Sequence, residues 1–240
     1  MSSPFLVRGL VLAFVALLAG CATLESAGDR SGRVAEAPTF AVGTRWTYRG
    51  SEGFRAPLVW TETHEVTAVE PDGIHVRVTY EGPQVHGSRE EILVAPGAVR
   101  QGALMDIETR RFVSPLERFR FPLAAGQRWN QWVANFNETT RREGQINRYV
   151  QVGGWERVQT PAGVFDAIRM RVLMRLDDEE FWRWPTTCNY AVWYAPAAHA
   201  VVREERRAQY VEKGGDARSG GGTIRTQFGV LELVAFTPGR

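Results

Sequence analysis

Apolar and polar residues alternate with a period of two along much of the chain, and each such stretch ends at a turn signal. Ile168, Met170, Val172, Met174 and Leu176 fall on one side of a strand, and Arg169, Arg171 and Arg175 fall on the other. Pro71-Asp72-Gly73 is a turn in which proline presets the first corner and glycine supplies a positive φ. After it, Ile74, Val76, Val78 and Tyr80 alternate with His75, Arg77 and Thr79. Glu90 to Val94 continues the pattern until Pro96-Gly97. Leu58–Val69, Asn189–Tyr194, Ala200–Tyr210 and Thr223–Phe236 read as strands, and Leu104–Phe112 as one more. Tyr149–Val158 carries Gly153-Gly154, the mark of a bulge or sharp bend. Helical periodicity is nearly absent. The pattern predicts a mainly β protein whose strongly curved antiparallel sheet forms a barrel or half-barrel.

One stretch occurs twice. Phe40-Ala41-Val42-Gly43-Thr44-Arg45-Trp46 is echoed by Phe121-Pro122-Leu123-Ala124-Ala125-Gly126-Gln127-Arg128-Trp129, with Gly-x-Arg-Trp shared. A repeat this long is not a solenoid unit. It fits one β domain over 38–240 built from two duplicated β-meander halves, 38–120 and 121–240.

The N-terminus follows a different logic. Met1–Arg8 carries one basic side chain, and Gly9–Leu18 is an unbroken apolar run, shorter than the roughly 20 residues a membrane-spanning helix needs. Small residues close it at Ala19 and Gly20. Residues 1–20 therefore read as an export signal. Leu18-Ala19-Gly20-Cys21 resembles the lipobox of bacterial lipoproteins. That resemblance implies a diacylglyceryl thioether on Cys21, cleavage before it, and acylation of the new amine. The anchor would be firm, because two or more acyl chains hold a protein where one does so only reversibly. Ala22 in place of Asp implies release to the outer membrane, on its periplasmic face. Residues 21–37, rich in Ser, Gly, Ala, Glu and Arg, read as a flexible tether.

Charge narrows the partners. The chain has 29 basic and 27 acidic residues, and removal of residues 1–20 takes away Arg8 alone, leaving 28 against 27. This balance gives no case for nucleic acid. With Cys21 acylated, Cys188 has no partner cysteine in the chain and reads as a small buried hydrophobe. His64, His75, His86 and His199 show no metal-ligand spacing, and no cofactor motif is present. His86-Gly87-Ser88 lacks the frame of a nucleophile elbow. Asp177-Asp178-Glu179-Glu180 reads as an acidic, solvated hairpin tip beside Arg175 and Arg183. In strict alternation, Phe181 and Arg183 would face one way and Trp182 and Trp184 the other. Phe181, Trp182 and Trp184 then form either an exposed ligand or partner contact or a plug in the end of the barrel.

Two segments carry a second resemblance. Thr160-Pro161-Ala162-Gly163-Val164-Phe165-Asp166-Ala167-Ile168 is similar to the "TPAGxFxAxxV" signature of uncharacterised periplasmic β-sheet proteins. Val192-Trp193-Tyr194-Ala195-Pro196, followed by Val201-Val202-Arg203, is similar to their "WYAPxxGxVV" strand, with His199 near the place of its glycine. A distant likeness to the Lol-type lipoprotein carriers implies a concave apolar face that holds acyl chains, although fold alone does not determine function. The expectation is a non-enzymatic, lipid-anchored module for a lipid-like ligand or for envelope assembly. The alternatives are a structural module that binds an envelope protein and a hydrolase of an envelope polymer.

Overall fold

The computed structural model describes residues 32–53, 57–104, 108–178, 180–214 and 222–240. Twelve strands close into one antiparallel barrel. The first half supplies β2 (Arg45–Glu52), β3 (Leu58–Glu70), β4 (Gly73–Glu81), β5 (His86–Ala95), β6 (Ala98–Gly102) and β7 (Arg110–Glu117). The second supplies β9 (Arg128–Asn137), β10 (Arg142–Thr160), β11 (Gly163–Leu176), β12 (Thr187–Ala195), β13 (Ala200–Val211) and β14 (Ile224–Thr237). Each strand pairs with the next in sequence, β7 pairs with β9, and β14 returns to β2 to close the ring. Two short strands, β1 (Val34–Ala35) and β8 (Leu123–Ala124), pair outside the barrel.

The two halves open on the same turn. Thr44 N–H donates to Ala41 C=O at 3.0 Å, and Gln127 N–H donates to Ala124 C=O at 3.1 Å. Gly43 and Gly126 hold φ of 83° and 88°. Each turn then docks on the following long strand. Gly43 and Val66 exchange bonds there through Thr44, as Gly126 and Val152 do through Gln127. Each docking point lies beside a bulge, at Val66/Ala68 in β3 and at Val152/Trp155 in β10. Trp46 and Trp129 follow, both buried and each donating its indole N–H to a main-chain carbonyl. Short hairpins alternate between the two ends of the barrel. The chain enters at the end that carries the β3–β4, β10–β11 and β12–β13 turns. That entry end is covered by Phe40, Phe119, Phe121 and Phe236, which pack on Trp46 and Tyr194.

Inside and outside are sharply distinguished. Ile168, Met170, Val172, Met174 and Leu176 of β11 are buried, while Arg171 and Arg175 are exposed. Arg203, Glu205 and Arg207 line the outer side of β13, and Arg203 pairs with Glu205 and Glu232. An arginine on the lipid face of a membrane-spanning barrel costs about 2–4 kcal/mol at mid-depth. Arg171, Arg175 and Arg203 on this outer wall would meet that cost in a bilayer.

Three expectations change. Leu104–Phe112 is not one strand: β7 begins at Arg110, and 105–107 lie outside the described residues. The folded body begins before Pro38, because Val34 and Ala35 pair with Ala124 and Leu123 and the Arg33 guanidinium lies 3.7 Å over the Trp155 ring. Residues 181–184 do not form a strand. They make a turn whose Arg183 bridges to Glu180 and Glu212, so their side chains do not alternate. The export signal, Cys21 and residues 22–31 of the tether lie outside the described residues. Cys188 is buried in β12, opposite Met174.

Gly97 and Gly126 both hold positive φ, but a Cβ at Gly97 would lie 2.6 Å from the Phe119 carbonyl oxygen, whereas one at Gly126 would meet nothing within 4 Å. Gly126→Ala is expected to cost about 1–2 kcal/mol from the left-handed backbone alone. Gly97→Ala should cost clearly more. Urea unfolding of the two variants checks the order, and equal losses would contradict the packing described at the entry end.

Candidate functional site

The barrel encloses a cavity of about 970 Å³ that runs along its axis. Trp46, Leu93, Val99, Leu116, Val192 and Leu231 supply apolar wall. The wall is interrupted by a belt of ionisable side chains that point inward from five strands or their ends. Glu62 and His64 come from β3, Arg89 and Glu91 from β5, Arg118 from the end of β7, Arg148 from β10, and Glu204 and Arg206 from β13. Tyr48 of β2, Tyr80 of β4 and Tyr190 and Tyr194 of β12 stand among them. These positions hold the inward register of their strands. Arg89 and Glu91 alternate with outward Ser88 and Glu90, and Arg148 sits between buried Ile146 and Val150.

Most of the belt is neutralised internally. Arg89 Nη2 lies 2.7 Å from Glu91 Oε1 and 3.7 Å from Glu62 Oε1. Arg118 Nη1 reaches the other Glu91 oxygen at 3.0 Å. His64 Nε2 is 2.7 Å from Glu62 Oε1, and Trp60 Nε1 donates to Glu62 Oε2 at 3.3 Å. Arg206 Nε donates to Glu204 at 2.6 Å. Arg148 differs. It donates to the main-chain carbonyls of Glu117 and Arg118, at 2.9 and 3.1 Å, and among the described residues no carboxylate forms an ion pair with it.

The local fields follow from this arrangement. Burial pushes Glu62 upward, but the His64 hydrogen bond and the charges of His64, Arg89 and Arg206 outweigh it and hold the carboxyl at about 2. Burial opposes ionisation of Glu91 as well, and Arg118 and Arg89 prevail, keeping it far below the usual carboxylate range. Burial lowers Arg148 to about 10, reinforced by the charge of Arg118 and only partly offset by Tyr190 and Glu204. Burial together with Glu62, Glu204 and Glu91 drives Tyr48 upward, so its phenol stays protonated. Tyr80 Oη, Tyr194 Oη and Arg89 Nη1 are buried without a protein hydrogen-bond partner. A buried polar atom left unmet costs about 1–3 kcal/mol, so these groups favour polar contents in the cavity.

Phe181, Trp182 and Trp184 lie at the end opposite chain entry. Phe181 is 91% exposed, Trp184 51% and Trp182 39%. Trp182 meets Tyr210 edge-on at 5.7 Å and joins the cavity lining, whereas Lys213 Nζ lies 4.2 Å from the Trp184 ring centre. The three aromatics therefore rim the far end and do not plug it. Asp178 is not simply solvated: its oxygens accept from Thr186 N–H and Oγ1 and from Arg183, pinning this loop. Ser88 lies exposed on the outer wall. Glu70, Asp72 and His75 place ligand atoms within 4.8 Å of one another at the β3–β4 turn, but Asp72 and His75 are already bonded to each other and to Arg100 and Glu90.

No known protein family matches the chain, and no curated protein does. Two solved structures are similar to it in shape. A Bacteroides fragilis protein described as exported, with a YmcC-like fold, shares 13% identity at a TM-score of 0.53, over 85% of this chain and 99% of its own. A Parabacteroides distasonis protein described as a lipoprotein shares 14% identity at a TM-score of 0.45, over 83% of this chain and 100% of its own. The first likeness shows a shared fold. The two signature segments noted in the sequence are hydrogen-bonded neighbours in it, with Ile168 opposite Tyr194.

Glu62 has a lowered pKa, so its contribution to stability is present above about pH 4.5 and is lost as pH falls towards 2. The shift corresponds to roughly 3 kcal/mol at neutral pH. Glu62→Gln is expected to lower stability at pH 7 and to flatten its decline between pH 4.5 and 2.5, read by urea unfolding at each pH. An undiminished acid slope would show that Glu62 is not held by the belt.

Proposed function

We propose that this chain is an exported, lipid-anchored envelope protein that binds a small amphipathic ligand inside its barrel, without catalysis. The observation that carries the reading is the cavity of about 970 Å³, bounded by aromatic and aliphatic wall and crossed by a charged belt. That volume lies in the range of small-molecule sites, which combine apolar lining with a few placed polar groups. A wholly apolar occupant, as in an acyl-chain carrier, would leave Tyr80, Tyr194 and Arg89 facing hydrocarbon. An occupant with both apolar and polar parts fits better.

The anchor rests on Leu18-Ala19-Gly20-Cys21, with the outer membrane as its destination. The description of the Bacteroides fragilis protein as exported agrees with this address. Chain entry lies at the aromatic-covered end of the barrel, so a membrane-held Cys21 would leave the Phe181–Trp184 rim pointing away from its own bilayer. That exposed rim favours a second reading, a contact for another envelope protein. Trp184→Ala would then reduce capture of that protein from solubilised envelopes while leaving stability unchanged.

Labelled palmitate is expected to enter the wild-type chain and not Cys21→Ser. Equal labelling of both would remove the anchor. Native mass spectrometry of the acylated protein, released from neutral detergent, is expected to show a bound organic molecule of several hundred daltons that solvent extraction removes. A spectrum of acylated chain alone would count against an occupied barrel.

A further inference from the structure

Within the belt, charge does not balance. The belt sets three carboxylates, Glu62, Glu91 and Glu204, against four guanidinium groups, Arg89, Arg118, Arg148 and Arg206; among the other described lining residues Arg110, Arg142 and Arg183 each pair with a carboxylate, Glu108, Glu180 and Asp178, and Glu52, Glu143 and Asp177 line the cavity as well. Each carboxylate is already taken: Glu62 by His64 and Arg89, Glu91 by Arg89 and Arg118, and Glu204 by Arg206. Arg148 is left as the surplus cation. Only 5% of it is exposed, it lines the cavity, and its bonds go to two main-chain carbonyls. Those bonds use two of its five N–H groups and fix the plane of the fork. A buried charge without a counter-charge is costly, and a fixed guanidinium fork suits a carboxylate or phosphate, which it can grip with paired hydrogen bonds. Other donors that lack a protein hydrogen-bond partner, Arg89 Nη1 and the Tyr80 and Tyr194 hydroxyls, also line the cavity.

From this geometry we infer that Arg148 is the seat for the anionic group of the ligand: the barrel takes an organic anion whose carboxylate or phosphate completes the charge belt and whose apolar body lies along the aliphatic wall. This inference rests on the interior-binding reading above and adds the sign of the charge and its position. The anion would enter at the far end, beside the Arg142–Glu180 pair, since aromatic rings cover the entry end. Arg118, whose charge reinforces that of Arg148, is held by Glu91 and so presents little free charge of its own.

A matched pair of probes tests it. The full chain in neutral maltoside detergent is titrated with octanoate and with octanamide, which differ in charge but scarcely in shape, and apparent affinities are taken from the calorimetric Tm series. Octanoate is expected to bind about tenfold more tightly than octanamide, as a charge-assisted contact implies. Arg148→Gln, which keeps a donor for the carbonyls, is expected to bring the two within about twofold, by weakening octanoate alone. Arg148→Lys keeps the charge without the fork, and should weaken octanoate severalfold while preserving its lead. This second variant locates the site even if the glutamine variant does not fold. Equal binding of both probes to the wild type, or an octanoate preference that survives in Arg148→Gln, would overturn the inference and leave interior binding standing. No stabilisation by either probe would instead overturn the interior-binding reading itself.

Discussion

The Glu62–Arg89–Glu91–Arg118 chain of ion pairs is the constraint around which the rest of the barrel is arranged. Charges in a confined interior persist only where partners and hydrogen bonds meet them. Here the partners come from β3, β5 and the end of β7, alternate strands of one meander whose curvature turns them toward one chamber. Arg118 also donates to the Ala103 carbonyl, and Ala103 N–H lies 3.5 Å from Glu91, so the pairs tie the ends of two short strands to the belt.

Strand number explains why there is a chamber at all. Eight strands make a barrel just wide enough for side chains to fill, and sixteen or more leave an aqueous channel. Twelve strands lie between, and here the space is shared between large aromatic rings, the charged belt and the cavity. The meander of two six-strand halves supplies the twelve. Its repeated turn at Gly43 and Gly126 places Trp46 and Trp129 at corresponding corners, and the aromatic cover gathers at that end. The far end keeps the polar loops. Aromatic cover and the longer loops therefore lie at opposite ends of the barrel.

Much of this was legible in the residues. The strict alternation of Ile168 to Leu176 located β11, Pro71-Asp72-Gly73 located the β3–β4 turn, and Gly153-Gly154 marked a real register shift. The strand β9 escaped notice because its inward row, Trp129, Gln131, Val133, Asn135 and Asn137, mixes apolar and amide side chains, which blurs the period. β6 is short and its signal is weak. The belt itself left a trace that was easy to pass over. Arg203-Glu204-Glu205-Arg206-Arg207 places charge on both faces of one strand, which no wholly apolar interior could accept. That Glu62, Glu91 and Arg118 meet was not readable, since their pairing depends on barrel register and not on local sequence. The aromatic run at 181–184 does not alternate, because Asp178 and Arg183 staple a turn there that local sequence does not announce.

A double-mutant cycle on Glu91 and Arg118 examines the central claim, that paired charges inside the ring hold the barrel in this form. Glu91→Gln alone is expected to cost about 3–5 kcal/mol in urea unfolding, because it strands two guanidinium groups inside. Adding Arg118→Gln should restore part of that loss, so that the double variant is more stable than the sum of the single losses implies. Single losses that add to within about 0.5 kcal/mol would show two independent side chains, and would contradict the account.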